Sequence, residues 1–353
     1  MPQHILIIDP VAAKPYTVDT LRREPLGGTE STILRVGRAL SARHHIMLAQ
    51  SARNEPSADG YGIRYRPYAF KSPRPVMDSQ PPDTVIVVRA YKTLLRIRRQ
   101  YPGARLFLWL HCFPGKHGKR LNEVCLETDT TIITVSDTHK EAVEKFIRKY
   151  QEHGNYDRKM ARVTRIYNPV NDDLKPDGRG YDPDKLVYFS SPHKGLPQVL
   201  ETFAYVRQFM PGLRLYVANP GYMRMKSFPQ REGVINLGAL PHDQVIGHVR
   251  EAFCVFYPQS RFRETFGLVF AEANAVGTPV IAHRIGSTPE IIGHPGQLVD
   301  AECKEEVLKT IIKWRKYGRP EVSAGDGFRC SRVVQAWERL FSDQTRSIQV
   351  AVE

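Results

Sequence analysis

The sequence predicts an α/β protein of two doubly wound, Rossmann-like domains with its site in the cleft between them. Three observations carry this. Short apolar runs alternate with helical patterns along the first part of the chain, a stretch dense in Pro, Gly and Asp follows at residues 168–185, and the alternation then restarts. Runs that are apolar throughout mark strands covered on both faces, as in a parallel sheet flanked by helices. Ligands of such sheets lie beyond the carboxyl ends of the strands.

The first domain is read as residues 1–170. Ile5–Ile8 is a strand, followed by a loop ending in Gly27 and Gly28 and a helix carrying Ile33, Leu34, Val36, Gly37 and Leu40. Ile46–Ala49, Val85–Val88, Leu106–Leu110 and Ile132–Val135 are further strands, with helices at Tyr91–Tyr101 and Thr138–Tyr150. Residues 171–185 are read as the linker. The second domain, residues 186–330, opens with strand Leu186–Phe189, helix Gly195–Met210 and strands Leu213–Ala218 and Val234–Leu237. Helix Asp243–Ala252, strand Cys254–Tyr257, helix Glu264–Val276 and strand Pro279–Ala282 complete it. Residues 331–353 are expected to form a terminal helix and tail that return to the first domain.

With 353 residues, 41% of them apolar, and a mean hydropathy of -0.39, the chain can bury two cores. No run approaches the roughly 18 apolar residues of a membrane span. The start, MPQHILIIDP, has neither a basic leader region nor a cleavage pattern, so a cytoplasmic protein is expected. Five scattered cysteines fit neither a disulfide framework nor a zinc knot. Lacking H-E-x-x-H and Cys/His clusters, the sequence predicts no metal and no cofactor.

Charge is uneven. Residues 1–175 hold 29 Lys and Arg against 18 Asp and Glu, and the remainder 22 against 19. The basic half points to an anionic partner, with a solvated surface as the plainer explanation of any one cluster. The sharper version is peripheral contact with an anionic membrane, at the inner face, through Arg96, Arg99, Lys116, Lys119 and Arg120.

The most informative stretch is RETFGLVFAEANAVGTPVIAHRIGSTPEII, Arg263 to Ile292. It follows a buried strand, so Glu264 falls in a loop at a carboxyl end, and Gly267 bares backbone N–H groups at the first turn of a helix. Eight residues along a helix separate Glu264 from Glu272 by about 12 Å. That is too far for a catalytic dyad but suits two hydroxyl-bearing rings of one extended ligand, such as a nucleotide sugar.

This stretch resembles the signature of family 4 retaining glycosyltransferases of GT-B fold, which reads E-G-F-G-L, a spacer, then E-A-x-A-x-G-x-P-V-I-A. Here it is Glu264-Thr265-Phe266-Gly267-Leu268, then Glu272-Ala273-Asn274-Ala275 and Gly277-Thr278-Pro279-Val280-Ile281-Ala282. The resemblance implies that Glu264 holds donor sugar hydroxyls and Glu272 the ribose, with Arg263, Phe266, Gly267 and Leu268 beside the donor. Gly27-Gly28 with Glu30 resembles the family's N-terminal glycine loop, which approaches donor phosphate and acceptor. His111 matches its strand-end histidine near the donor sugar, as a positioning group. Ser190-Ser191-Pro192-His193-Lys194-Gly195 resembles the phosphate clamp, with Lys194 on the family lysine. Phe189 stands where the family has arginine, a departure for which Arg261, Arg263 or the hydroxyls of Ser190 and Ser191 are substitutes. Gly286-Ser287-Thr288-Pro289-Glu290 resembles a donor-pocket loop, with Ser287 replacing a glycine. The base is expected around Asn236–Leu240.

The implied reaction is metal-independent sugar transfer from a nucleotide diphosphate sugar to an acceptor hydroxyl with retention, serving glycan or glycolipid biosynthesis. Glu264, His111 and Lys194 are its catalytic candidates. The acceptor is a glycan, a lipid-linked or another hydroxyl compound, and no nucleic acid is involved. The competing readings are a GT-B nucleotide-sugar epimerase and a basic protein binding membrane or nucleic-acid surfaces.

Overall fold

The computed structural model describes residues 1–69, 80–152, 159–219 and 230–343; of the expected terminal tail, residues 344–353 lie outside the described part. The first domain runs β1 (His4–Asp9), α1 (Val18–Arg23), α2 (Gly28–Leu40), β2 (His45–Gln50), β3 (Ser57–Ala58), β4 (Ile63–Pro67) and β5 (Thr84–Val88). It continues through α3 (Leu94–Gln100), β6 (Arg105–Trp109), α4 (Leu121–Glu127), β7 (Thr130–Thr134), α5 (Asp137–Glu152) and β8 (Val163–Arg165). Its sheet has the order β3-β4-β2-β1-β5-β6-β7-β8, parallel except where β3 meets β4. Every residue of β5, TVIVV, is buried, as a central parallel strand with helices on both faces requires.

The second domain comprises β9 (Asp182–Phe189), α6 (Leu196–Phe209), β10 (Arg214–Asn219), β11 (Val234–Ala239), α7 (His242–Arg250) and β12 (Ala252–Tyr257). After these come α8 (Leu268–Ala275), β13 (Val280–His283), α9 (Thr288–Ile291), β14 (Leu298–Val299) and α10 (Lys304–Tyr317). The sheet order is β11-β10-β9-β12-β13-β14, all parallel. The fully buried AFCVFY of β12 lies beside β9 near its centre.

The second sheet opens at Asp182, inside the stretch read as linker, because Asp182 pairs with Ala252 of β12. The chain returns after α10. Val170 and Arg329 form an isolated parallel bridge, and α11 (Cys330–Ser342) packs on α2. Trp337 of α11 meets Trp109 edge-on at 4.9 Å, and Arg105 donates to the carbonyls of Leu340 and Phe341 at 2.7 and 2.6 Å. Helix α11 thus ties residues 330–342 to the first domain.

Candidate active site

A cavity of about 620 Å³ lies between the two domains at the carboxyl ends of both sheets. On one side are the segments following β1, β5 and β6 and the start of α2; on the other are those following β9, β10, β11 and β12 and the start of α8. A Cβ added at Gly28 would lie 3.3 Å from Leu268, so two helix N-termini face each other across the cleft. Their unpaired N–H groups and dipoles make this region favourable to an anion.

The second domain supplies a carboxylate held by a cation. Glu264 is buried, and Lys194 Nζ lies 3.0 and 2.9 Å from its two carboxylate oxygens. Tyr257 donates its hydroxyl to Oε1 at 3.1 Å. Burial, and then the neighbouring Glu264 charge, push the Tyr257 phenol well above its usual range, so it stays a neutral donor.

Glu264 is not on the helix the sequence predicts for it. Helix α8 begins at Leu268, behind a left-handed Gly267 (φ 83°) where a Cβ would meet the Phe270 ring at 2.5 Å. The 12 Å helical rise between Glu264 and Glu272 therefore does not apply. Gly286 (φ 61°) lets the next loop close on the Glu264 backbone, since a Cβ there would lie 2.7 Å from the Glu264 carbonyl oxygen. Ser287 then donates from N and Oγ to Glu264 O, both at 3.1 Å, and from Oγ to Phe266 O at 2.8 Å. Ser287 is fully buried and does not line the cleft. Its hydroxyl braces the carbonyls of the Glu264 loop, which corrects its reading as a donor contact.

Glu272 reaches the cleft but is already engaged. Arg35 Nη1 and His242 Nε2 approach the same oxygen, Oε1, at 2.8 and 2.9 Å. Burial works to raise the Glu272 pKa, but the His242 and Arg35 charges outweigh it and hold the carboxyl at about 2. Burial likewise opposes charge on His242, yet Glu272 and Asp243 raise its pKa above the usual value. Arg35 comes from α2 and also donates to Pro169 O at 3.2 Å, so this buried pair joins the two domains beside the chain crossing.

From the first domain, His111 lines the cleft, and its Nε2 is buried with no hydrogen-bond partner among the described residues. Burial, with the nearby charges of Arg89 and His139, keeps the imidazole neutral by pushing its pKa well below the usual value. Across the domain boundary, Thr265 Oγ1 donates to His111 O at 3.0 Å and Ser136 Oγ to Thr265 O at 2.6 Å. Glu290 accepts from the N–H groups of Asp137 and Thr138 at 2.8 and 3.0 Å, a carboxylate at the start of α5.

Of the other predicted site residues, Gly27, Gly28, Ser190, Ser191, Lys194, Arg263, Phe266, Gly267 and Leu268 line the cleft. Arg263 is exposed, its guanidinium 4.6 Å from the Phe113 ring; Arg261 is not on the wall. From the expected base region only Leu240 reaches the cleft, because Asn236–Ala239 form an edge strand, and Asn219 and Val245 stand beside it instead. Sequence reasoning missed Asp9, Arg35, Arg89, Asn168, His242 and Tyr257. The buried arginine within the apolar run Ile33–Val36 was a visible signal for Arg35.

Buried neutral histidines make the site acid-sensitive. His139 accepts from Val135 N–H through Nδ1 at 3.3 Å, and its Nε2 donates to Cys112 O at 3.0 Å, bracing the loop after His111. Burial, against the pull of that hydrogen bond, lowers its pKa from 6.5 to about 4. A histidine depressed in the fold contributes stability that is complete above 6.5 and is lost as pH falls towards 4, about 3 kcal/mol over that window. Thermal unfolding of wild type should weaken over that range, and His139→Gln should flatten the slope.

With this geometry in place, residues 182–320 match the family described as glycosyl transferases group 1. The chain is 29% identical over 175 residues to an exopolysaccharide phosphotransferase from Streptomyces coelicolor, covering 46% of this chain and 18% of that one. It is 34% identical over 94 residues to the N-acetyl-alpha-D-glucosaminyl L-malate synthase of Bacillus anthracis, covering 24% of this chain and 25% of that protein. The chain thus spans a quarter or less of the length of these two relatives. Sucrose-phosphate synthase from Thermosynechococcus elongatus superposes with a TM-score of 0.68 at 15% identity, over 96% of this chain and 98% of that one. The fold is GT-B: two Rossmann-like domains facing across a cleft.

Proposed function

We propose that this chain is a retaining glycosyltransferase that moves a sugar from a nucleoside diphosphate to an acceptor hydroxyl without a metal. The observation that carries this reading is the meeting of Glu264, Glu272 and Lys194 on one interdomain cleft with two helix N-termini. The helix ends and Lys194 suit a diphosphate, and Glu264 suits the hydroxyls of the attached sugar. In the structure Lys194 pairs with Glu264, so an incoming diphosphate shares the lysine with the carboxylate that grips the sugar. As the glycosidic bond breaks, charge grows on the departing phosphate, where a fixed ammonium and helix dipoles stabilise it most. The acceptor proton goes to that phosphate oxygen on the same face, and the neutral His111 positions the sugar. Glu272 lines the same cleft, where its carboxylate suits a ribose hydroxyl.

The test is release of nucleoside diphosphate from a panel of nucleotide sugars, with and without hydroxyl acceptors, in EDTA. Acceptor-dependent release that survives EDTA is expected. Epimerised donor formed without acceptor would instead favour the epimerase, and turnover abolished by EDTA would remove the metal-free mechanism.

An anionic surface contact is also proposed, on a reduced set of residues. Arg96 bonds to Tyr68 OH and Ala69 O, and Arg120 to Glu123 at 2.6 Å, so these two are partly spent. Arg99, Lys116 and Lys119 remain exposed. Binding to anionic vesicles should fade as salt rises, since exposed charges act over about 8–10 Å at physiological ionic strength. Sedimentation showing no binding at low salt would leave them a solvated face.

A further inference from the structure

Arg89 is the first residue after β5 and sits in the left-handed region at φ 65°, a conformation that costs a non-glycine residue energy and persists only where the surroundings impose it. Here a side chain imposes it. The guanidinium Nη2 lies 3.1 and 3.2 Å from the two oxygens of Asp9, which is fully buried and also accepts from Tyr16 OH at 2.8 Å. Glu30, in the first turn of α2, approaches the same nitrogen at 3.5 Å. Arg89 and Glu30 both line the cleft beside His111, and each side chain keeps about a quarter of its surface exposed, 24% and 22%.

Two further observations point to a ligand at this wall. Among the described residues, Arg89 Nε and His111 Nε2 are buried with no hydrogen-bond partner, as is Asn168 Oδ1, and all three residues line the cleft. Buried polar atoms are rarely left so unless something else completes them. By contrast, the carboxylates of the opposite wall, Glu264 and Glu272, already have partners.

We propose that Arg89 and Glu30 are the acceptor-recognition pair, and that they select a neutral, polyhydroxylated acceptor over a phosphorylated one. This rests on the glycosyl-transfer reading and names its substrate class. The charge arithmetic decides the class. One guanidinium faces two carboxylates, Asp9 and Glu30, so these three side chains sum to about −1 and disfavour a second anionic group beside them, whereas the donor diphosphate has Lys194 and the start of α8 to offset that charge. Arg89 donates and Glu30 accepts, which matches adjacent hydroxyls of a sugar or cyclitol. Arg263, reaching over Phe113 from the other domain, is the rival cation for a phosphate.

The test uses the full chain saturated with a nucleoside diphosphate, titrated with methyl glycosides and myo-inositol and with their monophosphates. Wild type should bind a neutral probe more tightly than its phosphate. Glu30→Gln should weaken the neutral probe about tenfold and tighten the phosphorylated one by about as much, because the wall loses its negative charge. Arg89→Lys keeps the charge that Asp9 needs and loses the planar fork, so it should weaken the neutral probe without improving the phosphate. A gain for phosphates is a readout that a merely structural Glu30 would not give. Tighter binding of a phosphate by wild type, neutral binding unmoved by both variants, or no neutral probe binding would overturn the assignment. Calorimetric binding of the nucleoside diphosphate in the same samples separates the cases: its absence sinks the transferase reading, its presence confines the failure to the acceptor class.

Discussion

Glu264→Gln is expected to lower sugar transfer by on the order of 10²–10³-fold, the loss typical of removing one preorganised transition-state contact. The amide keeps the shape and the Tyr257 contact but gives up the charge. Because Lys194 is bonded to both carboxylate oxygens, the same change releases the lysine, and affinity for nucleoside diphosphate should hold or rise. Catalysis and product binding would then move apart. Loss of both together would mean that Glu264 shapes the cleft rather than gripping the sugar. Steady-state kinetics beside calorimetric diphosphate binding measures the two.

The second large effect is on stability. Arg35 and Glu272 are 3% and 5% exposed at the side chain, so Arg35→Ala strands a buried carboxylate that keeps, among the described residues, the His242 contact. Breaking a buried ion pair from one side costs about 3–5 kcal/mol, and the Arg35 hydrogen bond to Pro169 O goes with it. Arg35→Met with Glu272→Met should recover much of that stability, since no charge is left unpaired, while donor binding stays impaired. The pH dependence follows from the directions of the two shifts. Glu272, held down at about 2 against 4.5, contributes stability that is present above 4.5 and lost as pH falls towards 2. His242, raised above 6.5, contributes stability that is full below 6.5 and lost as pH rises through its higher folded value. The melting temperatures of wild type and His242→Gln should therefore converge on the alkaline side. A constant gap across that range would mean that His242 carries no charge in the cluster.

Much of the architecture was legible because buried parallel strands announce themselves. VIVV of β5 and AFCVFY of β12 are unbroken apolar runs, and both strands are central. Shorter or edge elements were not: β4, IRYRP, is half polar because one of its faces meets solvent, and α1 is only six residues long. At the site, the signature stretch and the strand-end His111 could be read because their residue types are unusual where they stand. Asp9 and Arg89 follow the same logic, as polar residues closing apolar runs at carboxyl ends of strands, and were there to be found. What no local pattern shows is pairing between distant segments. That Lys194 bonds Glu264, 70 residues on, depends on β9 lying beside β12 in one sheet, and that Arg35 bonds Glu272 depends on how the two sheets face each other. Ser287 misled for a related reason: its hydroxyl suits a ligand, but the turn at Gly286 points it at two backbone carbonyls.

The central claim is that the interdomain cleft holds a nucleotide sugar with its sugar on Glu264 and its diphosphate between Lys194 and the starts of α2 and α8. The most direct measurement is a crystal structure of the full chain with a bound nucleotide sugar or its unreactive analogue. The account predicts a Glu264 carboxylate oxygen at hydrogen-bond distance, about 2.5–3.0 Å, from a sugar hydroxyl, with Lys194 Nζ on a phosphate oxygen. A donor bound with its sugar away from Glu264, or with its diphosphate outside the cleft, would contradict it.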